Sequence, residues 1–470
     1  MRLNPVVGSL AILVTGAVAG LGAVQYVSLV DGNALLITAL PVVLALLLLL
    51  VVDKRLLFFL ILLLRASGDL VFEASKFAGG IGVGGLINAL VIFIALLFVL
   101  ERPSGLNRRI LSIWLPVLLA ALAAVVYAPV LREAARTFLA LLSYAAVFVI
   151  AYYIVRTRAD FERCVSVILL SSLLPALYAF VDIAQHGAAD GFRLQSTFTH
   201  PNILAFYLVL NISLLFYRLK TSLAEAPAGK RWPLALYMLL LLGLLLLTQT
   251  RSAWAGCAAL FAIYGLLFER KYLLYLLATP LLALLLPSVR ERLLDLGSGN
   301  EYVQYAKLNS FAWRQLLWKT GLQWMSWSQS LFGYGLNAFK HYSPQFFPLA
   351  GGIHWGAHST YVQWFFETGV VGVLCSAWMY LRLFGTLLLG RQQDRLGTLI
   401  VITLLIEYLF FAFSDNMLDY LAFNWYYWFF IGAACALAMQ LHATPEPLPG
   451  TADRDRDSFK SNRSHAPSRS

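Results

Sequence analysis

Three arginines and one histidine carry the reactive possibilities of this chain. Arg193 lies in Gly191-Phe-Arg-Leu-Gln-Ser-Thr-Phe-Thr-His-Pro-Asn202, Arg251 in Thr248-Gln-Thr-Arg-Ser-Ala-Trp254, and Arg314 in Trp313-Arg-Gln-Leu-Leu-Trp318. A guanidinium stays charged at any working pH and grips phosphate oxygens through paired donors, so three of them beside apolar sequence suit a clamp for a lipid-linked phosphate or diphosphate. Arg251 is the sharpest. It occupies a turn between two apolar runs with almost no loop, where its side chain must snorkel to the headgroups or turn inward to a partner. Taken one at a time, each arginine also reads as a headgroup anchor. His358 stands at the mouth of another long apolar run and can accept a proton near neutral pH, which activating a hydroxyl nucleophile requires. A lone interfacial histidine is more often a hydrogen-bonded bystander. His354, four residues earlier, makes a pair on one helix face, but no third ligand of matching spacing follows, so neither metal nor cofactor is expected. Glu407 is mid-run, where a bare carboxylate normally has a partner or a task, while Asp182, Asp415 and Asp419 close runs and read first as solvated helix ends.

The elements that must position these residues are membrane spans. With 60% hydrophobic and 13% charged residues over 470 positions, the chain holds more apolar sequence than one soluble core absorbs. Runs such as Ala34–Val52, Leu86–Leu100, Ile110–Ala128 and Thr137–Val155 have about the length that crosses a ~30 Å hydrocarbon layer. Marking every run gives an all-α, polytopic bundle of about 12–14 spans: 6–27, 34–52, 56–64, 84–100, 110–128, 137–155, 165–182, 201–217, 233–249, 252–268, 272–287, 361–390, 397–413 and 420–440. The bundle occupies 1–443, and the polar, Pro/Ser-rich tail 444–470 reads as disordered. Residues 6–27 read as an uncleaved first helix, since only Arg2 precedes them and a polytopic chain follows.

The net charge of +11 comes from short basic clusters between apolar runs, which argues against nucleic acid as a partner. Most Lys and Arg fall in alternate loops, so the positive-inside rule makes both termini cytoplasmic and turns the segments holding Arg193, Arg251, Arg314 and His358 outward. The outward stretch 288–357 is long enough to carry structure or a task, and its Trp-rich Ser310–Ser326 segment suits a helix at the membrane interface. The cysteines Cys164, Cys257, Cys375 and Cys435 lie in or beside apolar runs without CxxC spacing, so no disulfide framework is indicated.

These pieces resemble a known family. His358-Ser359, nine residues and then Gly369 fit the H-[NSQ]-x9-G pattern of bacterial O-antigen ligases. Arg193 through Asn202 resembles their R-x-x-G-T-F-x-x-P-N stretch, with Gln195-Ser196 where a glycine is common. Gln249-Thr-Arg-Ser-Ala-Trp254 is similar to T-x-S-R-x-A/G, and Arg314–Trp318 followed by Phe332-Gly-Tyr-Gly-Leu-Asn-Ala-Phe339 resembles a W/R helix before G-x-G-x-x-x-F. The likeness covers 190–375, in the right order, and extends to O-antigen and exopolysaccharide polymerases and to protein O-oligosaccharyltransferases.

The resemblance implies a GT-C-like, metal-independent, inverting glycosyl transfer in the bacterial inner membrane, active on its periplasmic face. The donor would be an undecaprenyl-diphosphate-linked glycan and the acceptor a lipid A-core or growing-glycan hydroxyl. His358 would assist that hydroxyl while Arg193, Arg251 and Arg314 hold the diphosphate, with Gly369, Asn202, Tyr361 and Asp415 in support. Polymerase and ligase remain alternatives. A non-enzymatic transporter or flippase is a third reading, which Glu407 would suit and the absence of a visible internal repeat does not.

Overall fold

The computed structural model describes residues 34–74, 82–189, 191–221, 227–283 and 308–443. The expected first span 6–27 and the tail 444–470 lie outside the described residues, as does the end of the expected span 272–287. The described residues are mostly helical, without a β-strand among them. In chain order the helices are α1 (Ala34–Arg65), α2 (Asp69–Ala74), α3 (Val83–Glu101), α4 (Arg108–Val126), α5 (Leu131–Ile154), α6 (Arg158–Ser171), α7 (Leu173–His186) and α8 (Pro201–Lys220). They continue with α9 (Ala228–Leu247), α10 (Arg251–Leu267), α11 (Lys271–Ala283), α12 (Ser310–Trp324), α13 (Ala338–Phe346), α14 (Thr360–Leu387), α15 (Arg395–Ser414) and α16 (Leu421–Ala443). Among the described residues, eight helical stretches are long and apolar enough to cross a membrane, and Arg231–Leu247 and Arg251–Leu267 are shorter apolar helices.

Two helices form the centre. The apolar windows of α16 and α8 are 94% and 89% buried, against 22% for α3, so neighbours surround the first two while α3 faces lipid. Lipid tails are as apolar as leucine, so close packing and interhelical hydrogen bonds must hold such helices together. At Gly432 the backbone of α16 lies so near α5 that a Cβ would sit 2.3 Å from the Phe148 carbonyl oxygen. Polar side chains add ties: Trp425 Nε1 donates to Ser143 Oγ (3.0 Å), and Tyr408 donates to Asn424 Oδ1 (2.8 Å). Each is worth roughly 0.6–2 kcal/mol in a membrane.

The helix ends sort into two faces. Arg158 pairs with Asp394, Lys220 and Lys271 with Glu269, Arg218 with Glu162, and Lys54 with Glu101, which ties together the loops that the charge bias assigns to one side. From there α8 and α15, 20 residues and about 30 Å each, lead to the other face, where Arg193, Thr250 and His358 lie.

Several boundaries differ from the hydropathy reading. The span expected over 165–182 is two helices, α6 and α7, broken at Ser172, whose hydroxyl bonds Tyr237. Helix α5 starts at Leu131, six residues before the expected 137, because a helix keeps its backbone bonded through the headgroup zone where charged residues stop a hydropathy run. The long loop carries its expected helix, Ser310–Trp324, started by Asn309, whose side chain accepts from the Phe311 and Ala312 amides.

Candidate active site

The segment from Gly191 to His200 is irregular and tied down at nearly every residue. Asp182, at the end of α7, accepts from the Gln195 and Ser196 amides (3.2 and 2.8 Å), and Thr197 Oγ1 donates to the Ala66 carbonyl (2.8 Å). Asp69 is paired with Arg65 at 2.8 Å, both buried, and also accepts from Thr199. Asp182, Arg65 and Asp69 therefore serve this loop as anchors. Ser196 takes a left-handed φ of 52° where the resembling family commonly has glycine, and its hydroxyl donates to the Pro175 carbonyl (2.6 Å), which helps fix a conformation a side chain ordinarily avoids.

The anchored loop delivers Arg193. Its Nε donates to the Thr248 carbonyl (3.0 Å), and one terminal nitrogen donates to Asn202 Oδ1 (2.7 Å) and Thr250 Oγ1 (3.1 Å). Asn202 passes the connection on, donating to Asp415 Oδ1 at 2.6 Å, where Tyr420 also donates at 2.9 Å. The Asp415 backbone carbonyl accepts from the amide and hydroxyl of Thr360, two residues after His358. Three helix beginnings thus gather on one network: Asn202 in the first turn of α8, Thr250 before α10, and Thr360 at the start of α14. Helix N-termini carry partial positive charge, and Arg193 and Arg251 add full charges beside them. Arg251, half-buried, is the first residue of α10, directly after Thr250.

Arg314 on α12 and His358 complete the group. His358 lies edge-on to Trp313 (5.8 Å between centroids) and beside Trp355 (6.5 Å). Burial first, then the Arg314 guanidinium and His200, push its imidazole down to about 4. The shift of His200 is in the same direction, from burial, Arg193 and Arg314, though its ring is the more open and solvent screens part of the effect. Burial raises the Asp415 carboxyl, opposed by Arg314, the Asn202 and Tyr420 hydrogen bonds, and Arg193. Arg314 therefore lies within electrostatic reach of His200, His358 and Asp415, and Arg193 within reach of His200 and Asp415.

The His358 backbone is left-handed, φ 49°. The preceding peptide is held on both sides: Trp318 Nε1 donates to the Ala357 carbonyl (2.6 Å), and the Ala357 amide donates to Gln363 Oε1 (3.2 Å). Gln249, beside Thr250, is left-handed as well (φ 53°), as is Ser196. Strained backbone of this kind persists where the surroundings over-determine it, commonly at functional sites.

Gly369 and Tyr361 do other work. At Gly369 (φ 64°, ψ −164°) α14 is interrupted, and the Tyr334 and Gly335 amides donate to the Phe366 and Glu367 carbonyls (3.0 and 2.9 Å), docking the Phe332–Asn337 loop on the helix. A Cβ on Gly369 would meet the Leu331 carbonyl oxygen at 2.3 Å. Gly369→Ala is expected to cost about 2–4 kcal/mol, seen as a lowered melting temperature in detergent; an unchanged melt would contradict this reading of the motif glycine. Tyr361 donates to the Leu409 carbonyl of α15 (2.7 Å), tying two helices together. His354 is turned to the Lys340 carbonyl and His341. Both carboxylate oxygens of the buried Glu407 lack a hydrogen-bond partner among the described residues, and nothing in the structure explains them.

Among the described residues the chain is a multi-pass helical membrane protein with arginines grouped near His358 at one face. Residues 236–377 match the family model described as O-antigen ligase, so this stretch is similar to the O-antigen ligases and polymerases. These are glycan-transferring enzymes that act on lipid-linked glycans in a membrane. The match encloses Arg251, Arg314, His358 and Gly369, whereas Arg193, Asn202 and Asp415 join the site from outside it. No curated protein matches the chain in sequence.

Proposed function

We propose that the chain transfers a glycan from undecaprenyl diphosphate to an acceptor hydroxyl on lipid A-core or a growing polysaccharide, at the periplasmic face of the bacterial inner membrane with both termini cytoplasmic. The observation that carries the reading is the network from Arg193 through Asn202 to Asp415 and Thr360, which binds an arginine site to the backbone beside His358. In the reaction the acceptor oxygen attacks the anomeric carbon from the face opposite the diphosphate, giving inversion. The carbon–oxygen bond to phosphate breaks with its electron pair leaving on the diphosphate, and the acceptor proton passes to His358. Arg193, Arg251, Arg314 and the helix N-termini stabilise the charge that develops on the leaving group. Asp415 orients Asn202 and, through it, Arg193. Offering lipid A-core or a second lipid-linked repeat to the purified chain separates ligase from polymerase.

The electrostatics give this reading a specific pH test. In the free protein His358 is held neutral by burial and by Arg314, the form a general base needs. An arriving diphosphate offsets that positive charge and makes the imidazole more basic as the proton is transferred. The acid limb of kcat/KM, which reports the free enzyme, should therefore fall near pH 4, and the limb of kcat at higher pH. Arg314→Gln removes a cation beside the imidazole, so the His358 pKa should rise, read directly from nitrogen-15 chemical shifts of labelled histidine. An unchanged or lowered pKa would remove Arg314 from the site.

A further inference from the structure

At the face opposite Arg193 and His358, α1, α3 and the end of α5 enclose a partly open cavity of about 630 Å³, within the range of small-molecule sites. Its apolar wall comes from Leu50, Val51, Phe93, Leu97 and Phe98, and its rim carries four cations, Lys54, Arg55, Arg102 and Arg156. The two rim acids are already engaged. Asp53, where α1 is interrupted, accepts from the Arg55 and Leu56 amides (2.9 and 3.0 Å), and Glu101 is paired with Lys54. Arg55, Arg102 and Arg156 are exposed and have no carboxylate partner among the described residues. Tyr153 fixes this rim by donating to the Arg102 carbonyl (3.0 Å).

Free guanidinium groups above an apolar wall fit a ligand that is anionic at one end and hydrocarbon at the other. A soluble phosphate would satisfy the arginines and leave the wall unused. We propose that this cavity binds the phosphate headgroup of an anionic phospholipid, with Arg55, Arg102 and Arg156 on the phosphate and an acyl chain along Leu50, Val51 and Phe93. Basic pockets between membrane helices on the cytoplasmic side recognise lipid headgroups by this chemistry.

The test uses the full-length protein in phosphatidylcholine nanodiscs, titrated with phosphatidylglycerol and, separately, inorganic phosphate, with bound lipid counted by native mass spectrometry. Phosphatidylglycerol should be retained, and the combined variant Arg55→Gln, Arg102→Gln, Arg156→Gln should bind it about 100-fold more weakly, at about fivefold per arginine. All three residues are exposed, and an unchanged melting temperature without added lipid verifies the fold. A control variant, Arg163→Gln with Arg270→Gln and Arg391→Gln, removes the same charge from the same face outside the cavity and should bind nearly as the parent. An equal loss in that control would overturn the site in favour of general surface attraction. Competition by inorganic phosphate at concentrations matching the lipid would overturn the assignment to a lipid, as would equal retention of phosphatidylcholine.

Discussion

His358→Ala protein is expected to fold, to bind lipid-linked diphosphate as the parent does, and to transfer glycan about 10²–10⁴-fold more slowly, the usual contribution of a positioned general base. The side chain is half-buried, and Arg193 is held by the Thr248 carbonyl, Asn202 and Thr250, so removing the imidazole leaves those bonds in place and the effect should fall on kcat. Trp318→Phe offers a graded comparison. It removes the donor to the Ala357 carbonyl while keeping an aromatic ring, so the strained backbone of His358 loses one of its two restraints. We expect a smaller fall, again in kcat with KM unchanged. If His358→Ala transfers at the parent rate, the imidazole is a bystander.

Arg193→Lys should be nearly as damaging as Arg193→Ala, with a loss of about 10²–10³-fold, the scale seen when one donor to a developing charge is deleted. Lysine keeps the charge but has a single nitrogen, whereas Arg193 reaches the Thr248 carbonyl, Asn202 and Thr250 at once from a planar fork. Losing that fork leaves the buried Thr250 hydroxyl oxygen without its donor and Asn202 Oδ1 with the Thr250 hydroxyl alone, which loosens the Asn202 amide that holds Asp415. Asp415→Asn should be sub-additive with Arg193→Lys, since both act through Asn202, and a double-mutant cycle of transfer rates measures the coupling. Strict additivity would mean that the network is not the working unit.

Much of this was legible in the chain itself. The spans followed from apolar length, and Arg193, Arg251 and Arg314 could be singled out as guanidinium groups beside apolar sequence, with His358 at the mouth of an apolar run. What joins them could not be read. Asn202 and Asp415 are 213 positions apart, and no periodicity or spacing relates them; only packing of α8 against α15 and α16 makes them neighbours. The pairing of Arg65 with Asp69 had a signal, an i,i+4 spacing at the end of an apolar run, but the hydropathy reading placed Arg65 in a loop. The aromatic surround of His358 was visible only as a Trp-rich helix, and the left-handed residues Ser196, Gln249 and His358 carry no mark in their side chains. Gly369 illustrates the reverse case. Its place in a motif suggested service near the chemistry, and the backbone shows a docking point for a loop.

Reconstitution of the purified chain in proteoliposomes with an undecaprenyl-diphosphate-linked glycan and an acceptor glycan or lipid A-core, following product and released undecaprenyl diphosphate together, tests the central claim most directly. The parent chain should give equimolar product and released diphosphate lipid, and folded His358→Ala or Arg251→Ala protein should give both at least about 100-fold more slowly. Full transfer by both variants, or lipid translocation across the bilayer without any glycan transfer by the parent chain, would contradict it.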